Sequence, residues 1–273
     1  MANIVENYLK SLLLRGGRRI CKTTDIIRLK NLIASLRPVT TNHELIRIGG
    51  DGDGGYLIPD DLQNINVCFS PGVSETANFE LELANNRNIK SFLADYSVEA
   101  PPVQSKLFDF EKKYLGPTED SIYITLESWV NKKAQNQSDF ILQMDIEGAE
   151  YGVIHDTSSE TLRKFRIIVI EFHGLDNMII RAGFDLIDLT FKKLLKDFEV
   201  VHIHPNNAVK PQKYKDLEIP PVMEFTFLRK DRISSRQPVL IFPNKLDRPN
   251  SSLSEDYPLP RCWYELNAQQ ACA

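Results

Sequence analysis

The sequence predicts an α/β fold with a mostly parallel central sheet, and three observations support this. Short apolar runs alternate along the chain with stretches of helical spacing, which is typical of βαβ units. Residues 167–170 are all β-branched, which indicates a central strand covered on both faces. Polar residues follow the ends of most apolar runs, where an open parallel sheet binds its ligands.

The composition sets the size of the protein and excludes several classes. The 273 residues carry 33 Lys and Arg against 37 Asp and Glu, and 42% are hydrophobic, so a full core is expected. There is no run of about 18 apolar residues that would span a membrane. The four cysteines lack the spacing of a metal site, and they fit a reducing, cytoplasmic location. The net charge of −4 argues against nucleic acid as the main partner.

Residues 1–40 form a basic segment, with eight Lys and Arg against two acids. Its apolar run, residues 12–14, is too short for a signal peptide and is followed by arginines. Residues 4–36 have helical spacing with a break at Gly16 and Gly17, which predicts two short amphipathic helices. A solvated collar is the simpler interpretation, and contact with a membrane surface or with a second copy in a dimer is the alternative.

The apolar runs and their spacing predict the elements of the domain in order. Strands are expected at residues 67–69, 89–94, 121–126, 140–146, 166–172, 200–203 and 222–228, and at Tyr56 to Pro59. Helices are expected over 75–87, from about residue 149, and over 184–198. Ser74 is available as the N-cap of the first of these helices.

The last two predicted strands are joined by a Pro- and Lys-rich loop without helical spacing. This connection predicts an antiparallel hairpin at one edge of the sheet. Residues 231–273 hold five of the fifteen prolines and no periodicity, which predicts an extended tail packed on the domain. The expected organisation is a helical extension over 1–40, the main domain over 41–230 and the tail over 231–273.

The glycine-rich run from Arg47 to Tyr56 matches two known motifs only in part. Its glycines have the GxGxxG spacing of a dinucleotide-binding loop, but a strand follows where that motif needs a helix. Two aspartates resemble the start of a calcium loop, but the twelfth position is Leu62 instead of glutamate. The run therefore predicts a tight hairpin that lies over a ligand, with Arg47 and Asp53 as charges at its ends.

Residues at the carboxyl ends of the predicted strands form the candidate site. Gly72 would let a ligand approach a helix N-terminus, and Asp95 ends the next strand, where nucleotide-binding sheets hold ribose hydroxyls. The remaining chemical groups follow the later strands: Asp145, Glu147, Glu150, Glu171, His173 and His204. Their convergence on one edge of the sheet is the strongest functional signal in the chain.

Together these residues resemble the FkbM family of S-adenosylmethionine-dependent methyltransferases, from about Arg47 to Arg229. The motifs that carry the resemblance are Arg47 with Asp53-Gly-Gly-Tyr56, Phe69-Ser-Pro-Gly-Val-Ser74 with Phe79-Glu80, Asp95, Met144-Asp-Ile-Glu-Gly-Ala-Glu150, Glu171-Phe-His173 and His204-Pro-Asn-Asn207. The resemblance implies a class I methyltransferase fold, which is Rossmann-like, with a seven-stranded sheet, helices on both faces and an antiparallel edge hairpin. One departure is the single glycine of the loop Ser70 to Ser74, where methyltransferases usually have three.

The resemblance also implies O-methylation of a hydroxyl on a sugar or a secondary metabolite, with a small molecule or a glycan as acceptor. It assigns the cofactor to Arg47, Asp53, Gly54, Gly55, Tyr56, Ser70, Gly72, Val73, Glu80, Asp95, Tyr96 and Asp145. Two alternatives are methylation of a phosphate or phosphoramidate group on a glycan, and a non-catalytic nucleotide-binding module. A metal-dependent hydrolase is a third.

The chemistry of an aliphatic hydroxyl requires a base or a metal ion, since it is a poor nucleophile at neutral pH. His173 is the first candidate base and His204 the second, because histidine titrates near neutrality. Asp145 and Glu171 are expected to orient that histidine, or to bind a divalent cation such as Mg²⁺ that holds a sugar diol.

Overall fold

A seven-stranded sheet forms the centre of the computed structural model, which describes residues 10–265 apart from residues 12 and 19. The strands are β1 Val39–Thr40, β2 Leu45–Ile48, β3 Tyr56–Pro59, β4 Val67–Pro71, β5 Lys90–Ala94, β6 Phe108–Glu111, β7 Tyr114–Leu115, β8 Tyr123–Ile124, β9 Phe140–Met144, β10 Phe165–Phe172, β11 Phe198–Pro205, β12 Gln212–Tyr214, β13 Leu217–Ile219, β14 Met223–Arg229 and β15 Gln237–Pro238. The helices are α1 Ile26–Ser35, α2 Asn78–Arg87, α3 Leu126–Ala134, α4 Glu150–Asp156, α5 Ser159–Leu162 and α6 Arg181–Asp197. Short 3₁₀ turns lie at Leu175–Ile179, Lys230–Arg232 and Arg261–Trp263.

The central sheet has the strand order β11-β14-β10-β9-β4-β5-β6. Strands β6, β5, β4, β9 and β10 are parallel, and β14 lies antiparallel between β10 and β11. This confirms the predicted Rossmann-like sheet with its antiparallel hairpin. The strand order reverses between β4 and β9, so the carboxyl ends of those two strands flank the crevice where open α/β sheets bind ligands.

The two faces of the sheet are covered by different elements. Helices α1, α3, α4 and α6 pack on one face, where the ring of Phe69 contacts the rings of Phe92, Trp129, Phe140 and Phe165. Helix α2 and the β2–β3 hairpin cover the other face through a smaller apolar cluster that includes Tyr56, Phe79 and Leu83. The glycine-rich turn between β2 and β3 is thereby carried to the carboxyl edge of the sheet.

Two local predictions were wrong. The third parallel strand is β6, whereas the predicted strand at 121–126 contributes only the two residues of β8, which pair with β7. The sequence did not predict strand β6, because this edge strand alternates phenylalanines with acids. One of these acids, Asp109, forms an ion pair with Lys133 at 2.9 Å. Helix α2 begins at Asn78 without a side-chain cap, and Ser74 instead has a left-handed φ of +31°.

The N-terminal segment and the tail both contribute to the core. Residues 10, 11 and 13–15 are helical, a turn follows at Gly16 and Gly17, and α1 begins after its N-cap Asp25. The part of the first predicted helix that covers residues 4–9 lies outside the described residues. From the tail, Trp263 is fully buried and its indole N–H donates to the Glu218 carbonyl at 3.0 Å. The division of the chain at residues 40 and 230 therefore stays a prediction.

Candidate active site

A cavity of about 500 Å³ opens at the carboxyl ends of β4, β5 and β9. Eight of the residues predicted for the cofactor line it: Asp53, Gly54, Tyr56, Gly72, Val73, Glu80, Asp95 and Asp145. Lining residues that the sequence did not suggest include Asn78, Ser97, Tyr114, Tyr123 and Gln143. The predicted ligand side of the sheet is thus a real concave site.

The other predicted cofactor residues lie around this cavity without lining it. Arg47 holds the glycine-rich turn together, because its Nε and Nη2 donate to the carbonyls of Gly50 (2.5 Å) and Gly52 (3.0 Å). A side chain at Gly55 would collide with the same Gly50 carbonyl and with Arg47. The exposed ring of Tyr96 packs against that of Tyr114 at 5.4 Å between centroids.

The loop after β4 lies directly against the end of β9. Gly72 has a φ of +85°, and a Cβ atom there would overlap the carbonyl oxygen of Asp145. The sequence predicted that this glycine admits a ligand, whereas the structure shows that it admits the neighbouring backbone.

Asp95 at the end of β5 fixes two loops of the cavity wall. Its carboxylate accepts from the backbone N–H groups of Ser74 (2.9 Å) and Ser97 (2.7 Å) and from the Ser97 hydroxyl (2.7 Å). The side chain is nearly buried and still lines the cavity. An acid held this rigidly can present an oxygen to a ligand hydroxyl at little further cost in entropy.

A chain of buried polar groups forms part of the cavity wall. The Ser70 hydroxyl lies 2.5 Å from Glu80 Oε1 and 2.7 Å from Gln143 Oε1, and the Gln143 amide donates to the Tyr56 hydroxyl at 3.1 Å. The serine can donate to only one of its two acceptors. Burial raises the pKa of Glu80, and its bond to Ser70 opposes that shift.

Three of the predicted catalytic side chains meet beside the cavity. Asp145, Glu171 and His173 each present a ligand atom within 4.8 Å of the other two. His173 Nε2 lies 3.9 Å from Asp145 Oδ1, 3.6 Å from Glu171 Oε1 and 3.4 Å from Glu147 Oε2. We call Asp145, Glu171 and His173 the acidic triad.

Burial governs the protonation of the acidic triad. Burial raises the pKa of Asp145 to about 7, assisted by nearby carboxylates and opposed by His173. The pKa of Glu171 is raised well above its ordinary value by burial and by the charges of Asp145 and Glu224. Burial lowers the pKa of His173, but its bond to Glu150 and the surrounding acids outweigh that effect and raise it.

The comparison with protein families agrees with this geometry. Residues 75–207 match the family model described as the methyltransferase FkbM domain. This region is an FkbM methyltransferase domain. The resemblance inferred from the motifs is therefore confirmed over this range, which carries a methyltransferase domain. No curated protein matches the chain.

The FkbM domain match covers only part of the cavity. Asp95 and Asp145 lie inside the matched range, whereas Asp53, Tyr56 and Gly72 precede it and still line the same cavity.

No helix in the described part of the chain combines the length and apolar character needed to cross a membrane.

Glu150 of the FkbM domain is an acid of this site to which the sequence assigned no role. It is fully buried, and its Oε1 lies 3.1 Å from His173 Nδ1. The same oxygen accepts from the N–H groups of Ile146 (3.3 Å) and Gly148 (3.0 Å). Glu150 therefore fixes both the loop after β9 and the histidine ring, with Nε2 facing the carboxylates.

His204, the second predicted base, belongs to a separate cluster. Its Nδ1 lies 3.8 Å from Asp247 Oδ2 in the tail, and His202 Nε2 lies 2.9 Å from Asp247 Oδ1. Beside it, Asn250 of the tail donates to Glu224 at 2.6 Å. His204 does not line the main cavity, and β14 separates its strand from the acidic triad. These contacts tie the tail to the sheet.

This attachment predicts a pH-dependent stability. His204 faces Asp247, Glu224 and Asp256, which raise its pKa more than burial lowers it. Burial raises the pKa of Asp247, but His202 and His204 lower it by more. The histidine contribution is complete below its unfolded pKa and is lost as the pH rises through the raised value. The aspartate contribution is present above its unfolded pKa and is lost at lower pH.

We therefore expect Asp247→Asn to lower the free energy of unfolding by about 1.5–3 kcal/mol near pH 6, and by less near pH 9. Urea unfolding at both pH values measures the difference. Glu255→Gln, an exposed position of the same tail, is the matched control. An equal loss at both pH values would mean that packing, and not the ion pair, holds the tail.

Proposed function

We propose that this methyltransferase transfers the methyl group of S-adenosylmethionine to a hydroxyl of a sugar or a sugar-like acceptor. The observation that carries the proposal is the continuity of the main cavity with the acidic triad, since Asp145 belongs to both. A donor held in the cavity would have its reactive group next to residues that can receive a proton.

The cavity suits a ligand that combines a nucleoside with a charged chain. Its volume of about 500 Å³ falls within the usual range for small-molecule sites. Asp95 would hold the ribose hydroxyls, Phe79, Leu115 and Ile146 supply apolar contacts for the base, and Glu80 would face the polar part. When bound, S-adenosylmethionine supplies a methyl group activated by a positively charged sulfur.

The acceptor proposal rests on charge. The cavity wall carries six carboxyl groups, those of Asp53, Glu75, Glu80, Asp95, Asp145 and Glu147. Carboxylates accept hydrogen bonds from diols but repel phosphate. Arg47, at one end of the glycine-rich turn, is already bound to two backbone carbonyls. A neutral hydroxyl is therefore favoured over the phosphate or phosphoramidate alternative.

The protein's own residues position the acceptor and take up its proton. Transfer requires the hydroxyl oxygen within about 3–3.5 Å of the methyl carbon. Asp145 and Glu147 line the cavity and are the carboxylates placed to accept the proton. His173, held at Nδ1 by Glu150 and surrounded by acids at Nε2, is better suited to hold these carboxylates in place than to act alone as the base.

Calorimetric titration with S-adenosylmethionine, and separately with S-adenosylhomocysteine, tests the donor. Micromolar binding of both is expected. A folded protein that binds neither would overturn the proposal. Methyl transfer to a panel of free sugars and glycosides, followed by mass spectrometry of the products, then tests the acceptor.

A single substitution should separate the donor site from the rest of the fold. We expect Asp95→Asn to weaken binding of S-adenosylmethionine about 10- to 100-fold, because hydrogen bonds to a charged acceptor contribute about 1.5–3 kcal/mol. Asp109→Asn on β6 is the control, since Asp109 pairs with Lys90 and Lys133 and does not line the cavity. Equal affinities for the two variants would exclude Asp95 from the donor site.

A further inference from the structure

We propose that the acidic triad binds a divalent cation of the Mn²⁺ or Mg²⁺ class, which in turn binds the acceptor hydroxyl. The metal site is a claim about this chain's own residues, and its role in catalysis rests on the proposed function. Mn²⁺ fits the donor set best, because one imidazole nitrogen and two carboxylate oxygens combine a borderline ligand with two hard ones.

The positions of the three donor atoms support a common ligand. They lie within 4.8 Å of one another on the ends of two neighbouring strands, β9 and β10. Neighbouring oxygen ligands of an octahedral ion at about 2.1 Å lie about 3 Å apart, so small side-chain rotations would complete the site. Side chains on two strand ends converge without any change in the backbone.

Unpartnered buried oxygens are a second, independent observation. Glu171 is 4% exposed; its Oε1 accepts from Asn206 at 3.1 Å, whereas its Oε2 is buried without a hydrogen-bond partner. Asp145 Oδ1, 3.9 Å from His173, is likewise buried and unpartnered. A buried polar atom without a partner costs free energy that a bound cation would recover.

The orientation of His173 is a third observation. Glu150 holds Nδ1 at 3.1 Å, which leaves Nε2 as the nitrogen that faces Asp145 and Glu171. Metal-binding histidines commonly have such a carboxylate on the opposite ring nitrogen, since it fixes the ring and strengthens the ligand. Glu150 is a positioning residue in this proposal.

A cation here would make the acceptor hydroxyl more acidic, because a positive charge stabilises the alkoxide. The hydroxyl proton passes to Glu147, which lines the cavity and is exposed to solvent. The acceptor oxygen then forms its bond to the methyl carbon as the sulfur–methyl bond breaks, and the sulfonium becomes a neutral thioether. No oxidant or further reactant is needed.

Electron paramagnetic resonance of Mn²⁺ titrated into the chelator-treated protein tests the site directly. We expect one tight Mn²⁺ per chain, with at least a tenfold loss of affinity in Glu171→Gln and in His173→Gln. Glu150→Gln should weaken binding about 10- to 100-fold while leaving the three ligands in place. Glu99→Gln removes an exposed carboxylate that is distant in sequence from the acidic triad, and this variant should bind Mn²⁺ like the wild type.

The outcomes separate the two proposals. Circular dichroism shows whether each variant folds, and the variants that fold decide the question. Absence of tight Mn²⁺ binding to the wild type would overturn the metal site. A loss of Mn²⁺ affinity in Glu99→Gln as large as that in Glu171→Gln would also overturn it. Calorimetry with S-adenosylmethionine in the presence of chelator reports on the donor site independently. Donor binding without Mn²⁺ binding would leave the proposed function standing alone.

Discussion

Gly72→Ala is expected to abolish binding of the methyl donor and to destabilise the fold. The residue has a φ of +85°, and the added Cβ would overlap the Asp145 carbonyl oxygen, which is backbone and cannot rotate away. Left-handed strain and overpacking each cost about 1–3 kcal/mol, so the free energy of unfolding should fall by about 2–6 kcal/mol. Urea unfolding and calorimetry measure the two effects.

Gly50→Ala is the matched control for this substitution. Gly50 has a similar φ of +93°, but a Cβ atom there would meet nothing within 4 Å. The free energy of unfolding of this variant should therefore fall only by the cost of placing alanine in the left-handed region, about 1–2 kcal/mol. If both variants lost the same stability, the contact between Gly72 and Asp145 would not matter, and the loop after β4 would be free to move.

The sequence predicted most of the sheet because each central strand carries its own signal. Residues 167–170 of β10 are buried on both faces, and their unbroken β-branched run reflects this. The antiparallel hairpin followed from the absence of a helical pattern between two apolar runs. Strand β6 carried no such signal, because its acids are satisfied by lysines from β5 and α3, which sequence spacing alone does not reveal.

The candidate site was predicted where the chain order determines the geometry, and missed where distant segments meet. Asp95, Asp145 and Glu171 follow strands, so their place at one edge was foreseeable. Glu150 was not assigned, because an acid in the first turn of a helix is usually explained by the helix dipole. The pairing of His204 with Asp247 joins the sheet to the tail, and no local pattern records it.

The neighbour of Gly72 shows the same limit in another form. The sequence predicted that a ligand approaches this glycine closely, whereas the backbone carbonyl of Asp145 does so. Which group it is depends on the register of β4 against β9, and the tertiary fold sets that register. A glycine in a motif can therefore indicate a close contact without indicating whether a ligand or the protein backbone makes it.

Glu171→Gln is expected to inactivate the enzyme and, without metal, to stabilise it. Loss of turnover should be about 10²- to 10⁴-fold, because Glu171 would hold the cation that makes the acceptor hydroxyl acidic enough to lose its proton. Burial raises the pKa of Glu171, so the folded chain keeps a proton that the unfolded chain releases as the pH rises above about 4.3. The wild type therefore loses stability with rising pH, and the neutral glutamine avoids this cost.

The sign of the stability difference should depend on both pH and Mn²⁺. With chelator near pH 8, we expect the variant to be about 1–3 kcal/mol more stable than the wild type, and near pH 5 the gap should shrink. Mn²⁺ should stabilise the wild type and not the variant, because only the carboxylate completes the site. Urea unfolding under these conditions measures the difference, and Glu99→Gln should follow the wild type throughout. If the variant were less stable than the wild type with chelator at every pH, Glu171 would stabilise the fold through its hydrogen bond with Asn206. The proposal that its carboxylate serves to bind a cation would then lose this support.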